Sequence, residues 1–396
     1  MKSFENFEYF TPTKVIFGKN AEQEIGTLIK TFSAKKVLIH YGGGSVIKSG
    51  LLDRVCASLT EAGIAYITLG GVVPNPRLSK VYEGIDLCRR EQADFILAIG
   101  GGSVIDSAKA IGYGVANDGD VWDFYEKKRT ASACLPIGAI LTIAAAGSEM
   151  SNSAVLTDEE TQDKSGIGSD LIRPKFAIMN PKLTYTLPKY QLTCGIVDIF
   201  MHTIERYFTP VHGNELTDEI AEGLMRTLIR NAAKAYENQE DYDAMSEIMW
   251  CGSISHNGIT GLGRPKDFLC HKLGHQLGAK FDEAHGATLS AVWGSWARYV
   301  YHLDEARFAN YGRKVWNIDE ENDEKTAVAA IEKTEEFFRS LHMPTCLGDM
   351  KMGVQPDEVL KEMAGKATAG DTMKVGAFQK MGEKELYEIY KKANHR

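Results

Sequence analysis

The stretch "ADFILAIGGGSVIDSAKAIG", residues 93–112, decides the fold. Its first half is a short continuous apolar run, the signature of a strand buried on both faces. Its second half has helical spacing. Between them stand Gly100, Gly101, Gly102 and Ser103. Glycines without a Cβ let backbone amides approach phosphate oxygens, and the dipole of the following helix favours an anion there. The string is not G-x-G-x-x-G, and no G-K-[ST] P-loop follows, so neither fingerprint is met. A tight turn in any α/β protein reads the same way.

Working outward, the pattern repeats. "KKVLIHY" (35–41) runs into "GGGS" (42–45) and then the helical "GLLDRVCASLTEAG" (50–63). "IAYITLGGVVPNP" (64–76) is followed by the helix-like "LSKVYEGIDLCRREQ" (78–92). "ACLPIGAILTI" (133–143) and "KFAIMNP" (175–181) read as further strands. Between those two, the polar "DEETQDKSGIGSD" (158–170) reads as a hairpin or loop. Strand, glycine turn, helix and strand again predicts βαβ units and a parallel sheet. From about Leu192 the β-rich runs stop and helical spacing holds to the end of the chain. The boundary is placed at Pro188–Gln191, which gives an α/β dinucleotide-binding domain over residues 1–188 and an all-α domain over 189–396.

Length and composition agree with two soluble domains. The 396 residues exceed what one hydrophobic core normally serves, and 44% are hydrophobic against 25% charged. The net charge of −8 with scattered acidic residues argues against a nucleic-acid partner. Seven cysteines without a C-x-x-C pair read as reduced thiols of a cytoplasmic protein. "MKSFENFEYF" has no apolar h-region, and no apolar run reaches 18 residues, so no membrane association is expected.

The second GGGS turn, Gly42–Ser45, follows what reads as the first strand of the sheet. In a nicotinamide enzyme an acidic residue near such a strand end binds the ribose 2′-hydroxyl. Here Gly43, Gly44, Ser45 and nearby Lys48 stand instead. A carboxylate would repel a 2′-phosphate, whereas small donors and a cation accept one.

The helical half carries a different signal. Of ten histidines, three crowd into "CHKLGHQLGAKFDEAHG" (270–286) at positions 271, 275 and 285. His271 and His275 are i,i+4 and share a helix face. "CGIVDIFMHTIERYF" (194–208) places Asp198 and His202 at the same spacing. Alone, that pair could be an ordinary i,i+4 contact. Together the two segments offer a carboxylate and imidazoles for Fe(II) or Zn(II), not the all-oxygen set of Ca(II) or Mg(II). Spacing leaves open which of His271 and His275 is the ligand. The other histidines, His40, His212 and His256 among them, read as capped or surface residues.

With these motifs in place, the chain resembles the group III, iron-containing alcohol dehydrogenases, nearest to NADP(H)-dependent butanol dehydrogenases and broad-range aldehyde reductases. The resemblance runs through "YGGGSVIKSG", "GGVVPNPRLSKVYEG", "AIGGGSVIDSAKAI", "GSEMSNSAVLTDEETQDK", "NPKLTYTLP", "GIVDIFMHTIERY" and "HKLGHQLGAKFDEAHG". It implies the dehydroquinate synthase-like fold of that family, and Asp198, His202, His271 and His285 as ligands of Fe(II) or Zn(II). It leaves His275 beside them as a proton-relay or substrate-orienting group. It further implies that Gly100, Gly101, Gly102 and Ser103 hold the diphosphate and that Asp106 faces the nicotinamide. Gly43, Gly44 and Ser45 would surround the 2′-phosphate of NADP(H). Lys164 would be a second contact to that phosphate, Asn75 would also bind the cofactor, and Thr142 and Leu183 would line its cleft, with metal and cofactor meeting between the domains. A homodimer is the implied assembly. Two positions depart from the family pattern: "LTIAAAGSE" (141–149) carries three alanines, and Ala284 replaces the usual proline before the last ligand.

The reaction implied is hydride transfer between NADP(H) and a small neutral primary alcohol or aldehyde. A polyol dehydrogenase or a synthase-like lyase of the same fold is the alternative. The latter would need basic residues near the metal for an anionic substrate, and only Lys272 is seen there. A metal hydrolase or a non-catalytic nucleotide-binding module would leave one or other motif without a role.

Overall fold

The computed structural model describes residues 5–145 and 147–396. Met1–Phe4 of the amino-terminal stretch and Ala146 of the alanine run lie outside the described residues. Two compact units divide the described residues: 10–186, and 187–396 together with 5–9.

In the first unit, six strands form one parallel sheet: β1 (Lys14–Phe17), β2 (Lys36–Tyr41), β3 (Ala65–Leu69), β4 (Phe95–Gly100), β5 (Ile137–Leu141) and β8 (Phe176–Met179). Their order is β1-β8-β5-β4-β2-β3. The remaining two, β6 (Ser153–Asp158) and β7 (Asp163–Gly168), make a separate antiparallel hairpin. Helices α1 (Ile25–Lys30), α2 (Gly44–Lys48), α3 (Leu51–Glu61), α4 (Leu78–Glu91), α5 (Gly102–Ala116) and α6 (Trp122–Tyr125) supply the crossovers and short connections. Parallel pairing follows from the chemistry of the runs. Every residue of β4 is buried, as a strand covered on both faces requires.

Alternation sorts β2 between two faces. Val37 and Ile39 join Ile29, Val55 and Leu59 in the apolar cluster beneath α1 and α3. His40 points the other way and is fully buried, not capped or at the surface as its isolated position suggests. Its Nδ1 lies 3.0 Å from the Leu69 carbonyl and its Nε2 2.9 Å from Ser107 Oγ on α5. Burial holds its pKa down at about 4 from an ordinary 6.5. The unfolded chain therefore takes up a proton near pH 6.5 that the folded chain refuses until about 4. This contribution is present above pH 6.5 and is lost as the pH falls through that window, up to about 3 kcal/mol. Urea midpoints measured at pH 7 and pH 4.5 are expected to show the loss. His40→Asn, although less stable at pH 7, should show a flatter pH dependence between those values.

The topology brings the two glycine turns together. The chain leaves β2 toward β3 at one edge, whereas β4 leads through β5 to β8 in the opposite direction. Ligands of open α/β sheets bind outside the carboxyl ends of strands at such a switch point. Here β2 and β4 are direct neighbours, with Tyr41 opposite Ile99, so their two GGGS turns emerge side by side.

Two features differ from the sequence reading. β2 is not the first strand. β1 precedes it and lies at the far edge, paired with β8, and its four residues are only partly covered. The division at residue 188 also needs correcting at the amino terminus. Residues 5–9 group with the helical unit, where the Glu5 N–H donates to the Gly263 carbonyl.

The second unit consists of α7 (Lys189–Tyr207), α8 (Glu215–Glu237), α9 (Tyr242–His256), α10 (Leu269–Phe281), α11 (His285–Val300), α12 (Glu305–Tyr311), α13 (Asp323–Ser340), α14 (Asp357–Ala367) and α15 (Glu383–Ala393). From Leu192 to Tyr207, α7 is buried at every position except Cys194, so it is the central helix of this unit. Among the described residues, no helix is long and apolar enough to cross a membrane. All seven cysteines are free thiols.

Candidate metal centre and nucleotide-binding edge

On the sheet unit, the two glycine turns differ. A Cβ on Gly100 would strike Val104, and one on Gly101 would strike Ile143 at 2.1 Å, so local packing already demands glycine at both. A Cβ on Gly43 would meet nothing within 4 Å, and one on Gly44 only Lys48 Cε at 3.6 Å. The β2 turn thus has open space over it with the Lys48 stem alongside. The next chain crossing adds a second lysine that the sequence reading left out. Gly71 donates to the Gly42 carbonyl, and Lys80 Nζ lies 3.7 Å from where a Gly71 Cβ would be.

The other expected cofactor residues spread around the same sheet edge with distinct local partners. Thr142, one residue past β5, donates its N–H to the Gly100 carbonyl. Lys164 Nζ donates to Asn75 Oδ1 at 2.9 Å, and Asn75 sits in the left-handed region at φ 55. Leu183 packs against the apolar cluster of α1 and α3. Both oxygens of Asp106 are engaged within the unit: Oδ1 accepts from Ser148 Oγ at 2.5 Å and Oδ2 from the Val155 N–H at 2.9 Å. One turn on, buried Lys109 Nζ lies 2.7–3.2 Å from five oxygens of Ser148, Ser151 and Ser153. Asp106 and Lys109 therefore clasp the 148–155 segment to α5.

On the helical unit, the expected ligands converge. Asp198 Oδ1 lies 3.4 Å from His202 Nε2, 3.7 Å from His271 Nε2 and 3.7 Å from His285 Nε2. The two nitrogens of His202 and His271 are 3.3 Å apart. Asp198, His202 and His271 are buried and offer ligand atoms all within 4.8 Å of one another. His285 is less covered, with a side-chain exposure of 28%.

A buried carboxylate oxygen with no hydrogen-bond partner is costly, and Asp198 Oδ1 is such an atom. Four donors at about 2.1 Å from a tetrahedral ion stand about 3.4 Å from each other. The observed separations match that edge length, and one carboxylate with three imidazoles suits Fe(II) or Zn(II). The residues fit a divalent transition-metal ion.

Glycines let the three helices approach. A Cβ on Gly286 would lie 2.2 Å from the Cys194 carbonyl oxygen, so the first turn of α11 rests directly on α7 and brings His285 to Asp198. A Cβ on Gly274 would meet Thr288 Oγ1 at 2.7 Å, which sets α10 against α11. His275 stands at the margin, its ring centroid 5.3 Å from His285 and 6.2 Å from His271.

Around this group lie residues the sequence reading passed over. Glu205, fully buried, hydrogen-bonds through Oε2 to His271 Nδ1. Its signal was available, because Asp198, His202 and Glu205 at i, i+4 and i+7 share one face of α7. His256, which its isolated place in the sequence suggests is capped or at the surface, packs its ring 4.1 Å from that of His202. Arg206 supplies a cation in addition to Lys272. It is committed locally, donating to the His202 carbonyl at 2.5 Å and lying over the Phe268 ring at 4.7 Å.

Charges differ across the group. Burial holds His202 well below its ordinary range, reinforced by neighbouring imidazoles and Arg206. Burial also opposes protonation of His271, but Glu205 and Asp198 prevail and raise it to about 9. A metal that binds His271 displaces that proton.

The profile described as iron-containing alcohol dehydrogenase matches residues 12–181, and that of the Fe-containing alcohol dehydrogenase family, C-terminal, matches 193–394. The NADH-dependent butanol dehydrogenase A of Clostridium acetobutylicum is 40% identical over 390 residues, covering 98% of this chain and 99% of that protein. The NADPH-dependent aldehyde reductase YqhD of Escherichia coli is 37% identical over 348 residues, covering 87% and 89%. The crystal structure of a Thermotoga maritima NADH-dependent butanol dehydrogenase A superposes with a TM-score of 0.95 at 35% identity, covering 100% of both chains.

Proposed function

The chain belongs to the iron-containing alcohol dehydrogenase family, and from that premise we propose which alcohol it acts on and which dinucleotide it uses. It interconverts a small neutral primary alcohol and its aldehyde, of the butanol and butyraldehyde kind, with NADP(H). Asp198, His202, His271 and His285 hold Fe(II) or Zn(II). The observation that carries this reading is the buried, unpartnered Asp198 Oδ1 lying 3.4–3.7 Å from three imidazole nitrogens.

When bound, the divalent ion supplies a Lewis acid that draws electron density from the substrate oxygen, and NADPH supplies the hydride. The protein's part is placement and charge. Held by one carboxylate and three neutral imidazoles, a divalent ion would keep a net positive charge, which favours an oxygen that becomes negative. His275, partly exposed beside His285, exchanges the proton that the alcohol oxygen gains or loses. Arg206 is buried on the His202 carbonyl and Lys272 is exposed, an arrangement we read as suited to a neutral substrate.

Support for NADP(H) comes from the β2 turn, since similar proteins carry both NADH and NADPH in their names. Open space over Gly43, flanked by Lys48 in a segment (42–48) that contains no Asp or Glu, suits a 2′-phosphate. Absorbance at 340 nm, with butyraldehyde and either dinucleotide after anaerobic Fe(II) or Zn(II) loading, tests both parts. Ser45→Glu puts a carboxylate at the turn. It is expected to lower kcat/KM for NADPH about tenfold or more, with NADH changed much less. Equal losses for the two dinucleotides would remove Gly43–Ser45 from phosphate recognition.

A further inference from the structure

We propose that Glu205 is a positioning residue that locks His271 in the tautomer and orientation needed for metal binding while fixing the helix that carries it. The proposal rests on the metal reading above.

The Glu205 carboxylate is fully buried on α7 and uses both oxygens on α10. Oε2 accepts from His271 Nδ1. With that nitrogen holding the proton, the lone pair of the neutral ring is on Nε2, the atom 3.3 Å from His202 Nε2 and 3.7 Å from Asp198 Oδ1. Oε1 accepts from the Cys270 N–H at 2.7 Å and from the His271 N–H at 3.3 Å.

Those two amides belong to the first turn of α10, which lacks a capping side chain of its own. Its N-cap is Phe268, in the left-handed region at φ 52, and an aromatic ring cannot accept as a capping oxygen does. Asp267 Oδ1 serves the Leu269 N–H at 3.1 Å, and Glu205 serves the next two. One carboxylate thus caps α10 from outside and orients its first imidazole. It also links α10 to the helix that supplies Asp198 and His202. Histidine ligands are generally fixed by such a carboxylate on the nitrogen that does not bind metal, and its loss weakens affinity ten- to hundredfold.

The test measures metal affinity by chelator competition with Co(II) and Zn(II), and records the Co(II) d–d absorption, in wild type, Glu205→Gln, Glu205→Met and His271→Ala. Glutamine can accept from Nδ1 or from the amides, but its own NH2 then faces a donor. Ten- to hundredfold weaker binding and an altered Co(II) spectrum are expected for Glu205→Gln, and a larger loss for Glu205→Met. Wild-type affinity and spectrum in both would overturn the role of Glu205. Failure of wild type to bind either ion, or unchanged binding in His271→Ala, would overturn the metal reading instead. Circular dichroism confirms that each variant is folded. Should neither Glu205 variant fold, the wild type decides. With Co(II) bound, the Nδ1–H of His271 should give a hyperfine-shifted proton that exchanges with water slowly. The absence of any slowly exchanging imidazole N–H would overturn the assignment.

Discussion

Replacing Asp198 by alanine is expected to strip the metal and to lower kcat/KM for butyraldehyde reduction by about three orders of magnitude or more. Such a loss corresponds to roughly 4 kcal/mol of transition-state stabilisation. Asp198 is the carboxylate on which the three imidazole nitrogens converge, at 3.4, 3.7 and 3.7 Å. Without it a divalent ion would face neutral donors only, beside a buried guanidinium on Arg206. Asp198→Asn separates charge from shape, because it keeps an oxygen at the same place. It should bind metal measurably but more weakly than wild type. Circular dichroism shows whether each variant keeps its fold. Metal content by elemental analysis, alongside NADPH oxidation, checks both variants. Stoichiometric metal in Asp198→Ala with activity within tenfold of wild type would dismantle the four-residue site.

The sheet was legible because its signals are local and strong. β2 and β4 are apolar runs ended by the same GGGS string, and both are buried along most of their length. β1 has no comparable signal. Its four residues, KVIF, are exposed at both ends, and its strand partner, β8, lies about 160 residues away in the chain. The hairpin could be anticipated as a turn between polar residues, but the alternating Ser153–Asp158 strand preceding it depends on pairing with a glycine-containing partner. Nothing in residues 5–9 announces that they group with the helical unit.

The clustering of these carboxylate and imidazole side chains was legible as two ridges, Asp198 with His202 and His271 with His275, because helical periodicity fixes which side chains share a face. Choosing between His271 and His275 needs the packing of α7, α10 and α11, set by glycines at 274 and 286 whose neighbours come from other helices. His256 carries no periodic relation to the cluster, so its place against His202 is a purely tertiary fact. The glycine turns show the opposite limit. Identical strings look equivalent in sequence, yet Val104 and Ile143 account for Gly100 and Gly101, whereas Gly43 is open.

His275→Ala and His271→Ala, one turn apart on α10, are expected to fail in different ways. His271 is buried, with Nδ1 on Glu205 and Nε2 beside Asp198 and His202. Its loss removes a donor from the centre of the group, and metal content should fall to less than about a tenth of wild type. His275 is partly exposed and neighbours the ring of His285 at 5.3 Å. That position suits a group that passes protons to water, and general acid–base contributions run to about a hundredfold or more. His275→Ala should therefore retain its metal while kcat falls about a hundredfold. The Co(II) spectrum should stay close to wild type, and the pH profile of kcat should lose one limb. His275→Gln, which keeps a polar side chain but cannot titrate near neutrality, should not restore the rate. Metal loss in His275→Ala with retention in His271→Ala would exchange the two assignments. Retention in both, with unchanged kcat, would take His275 out of the reaction and His271 out of the metal site.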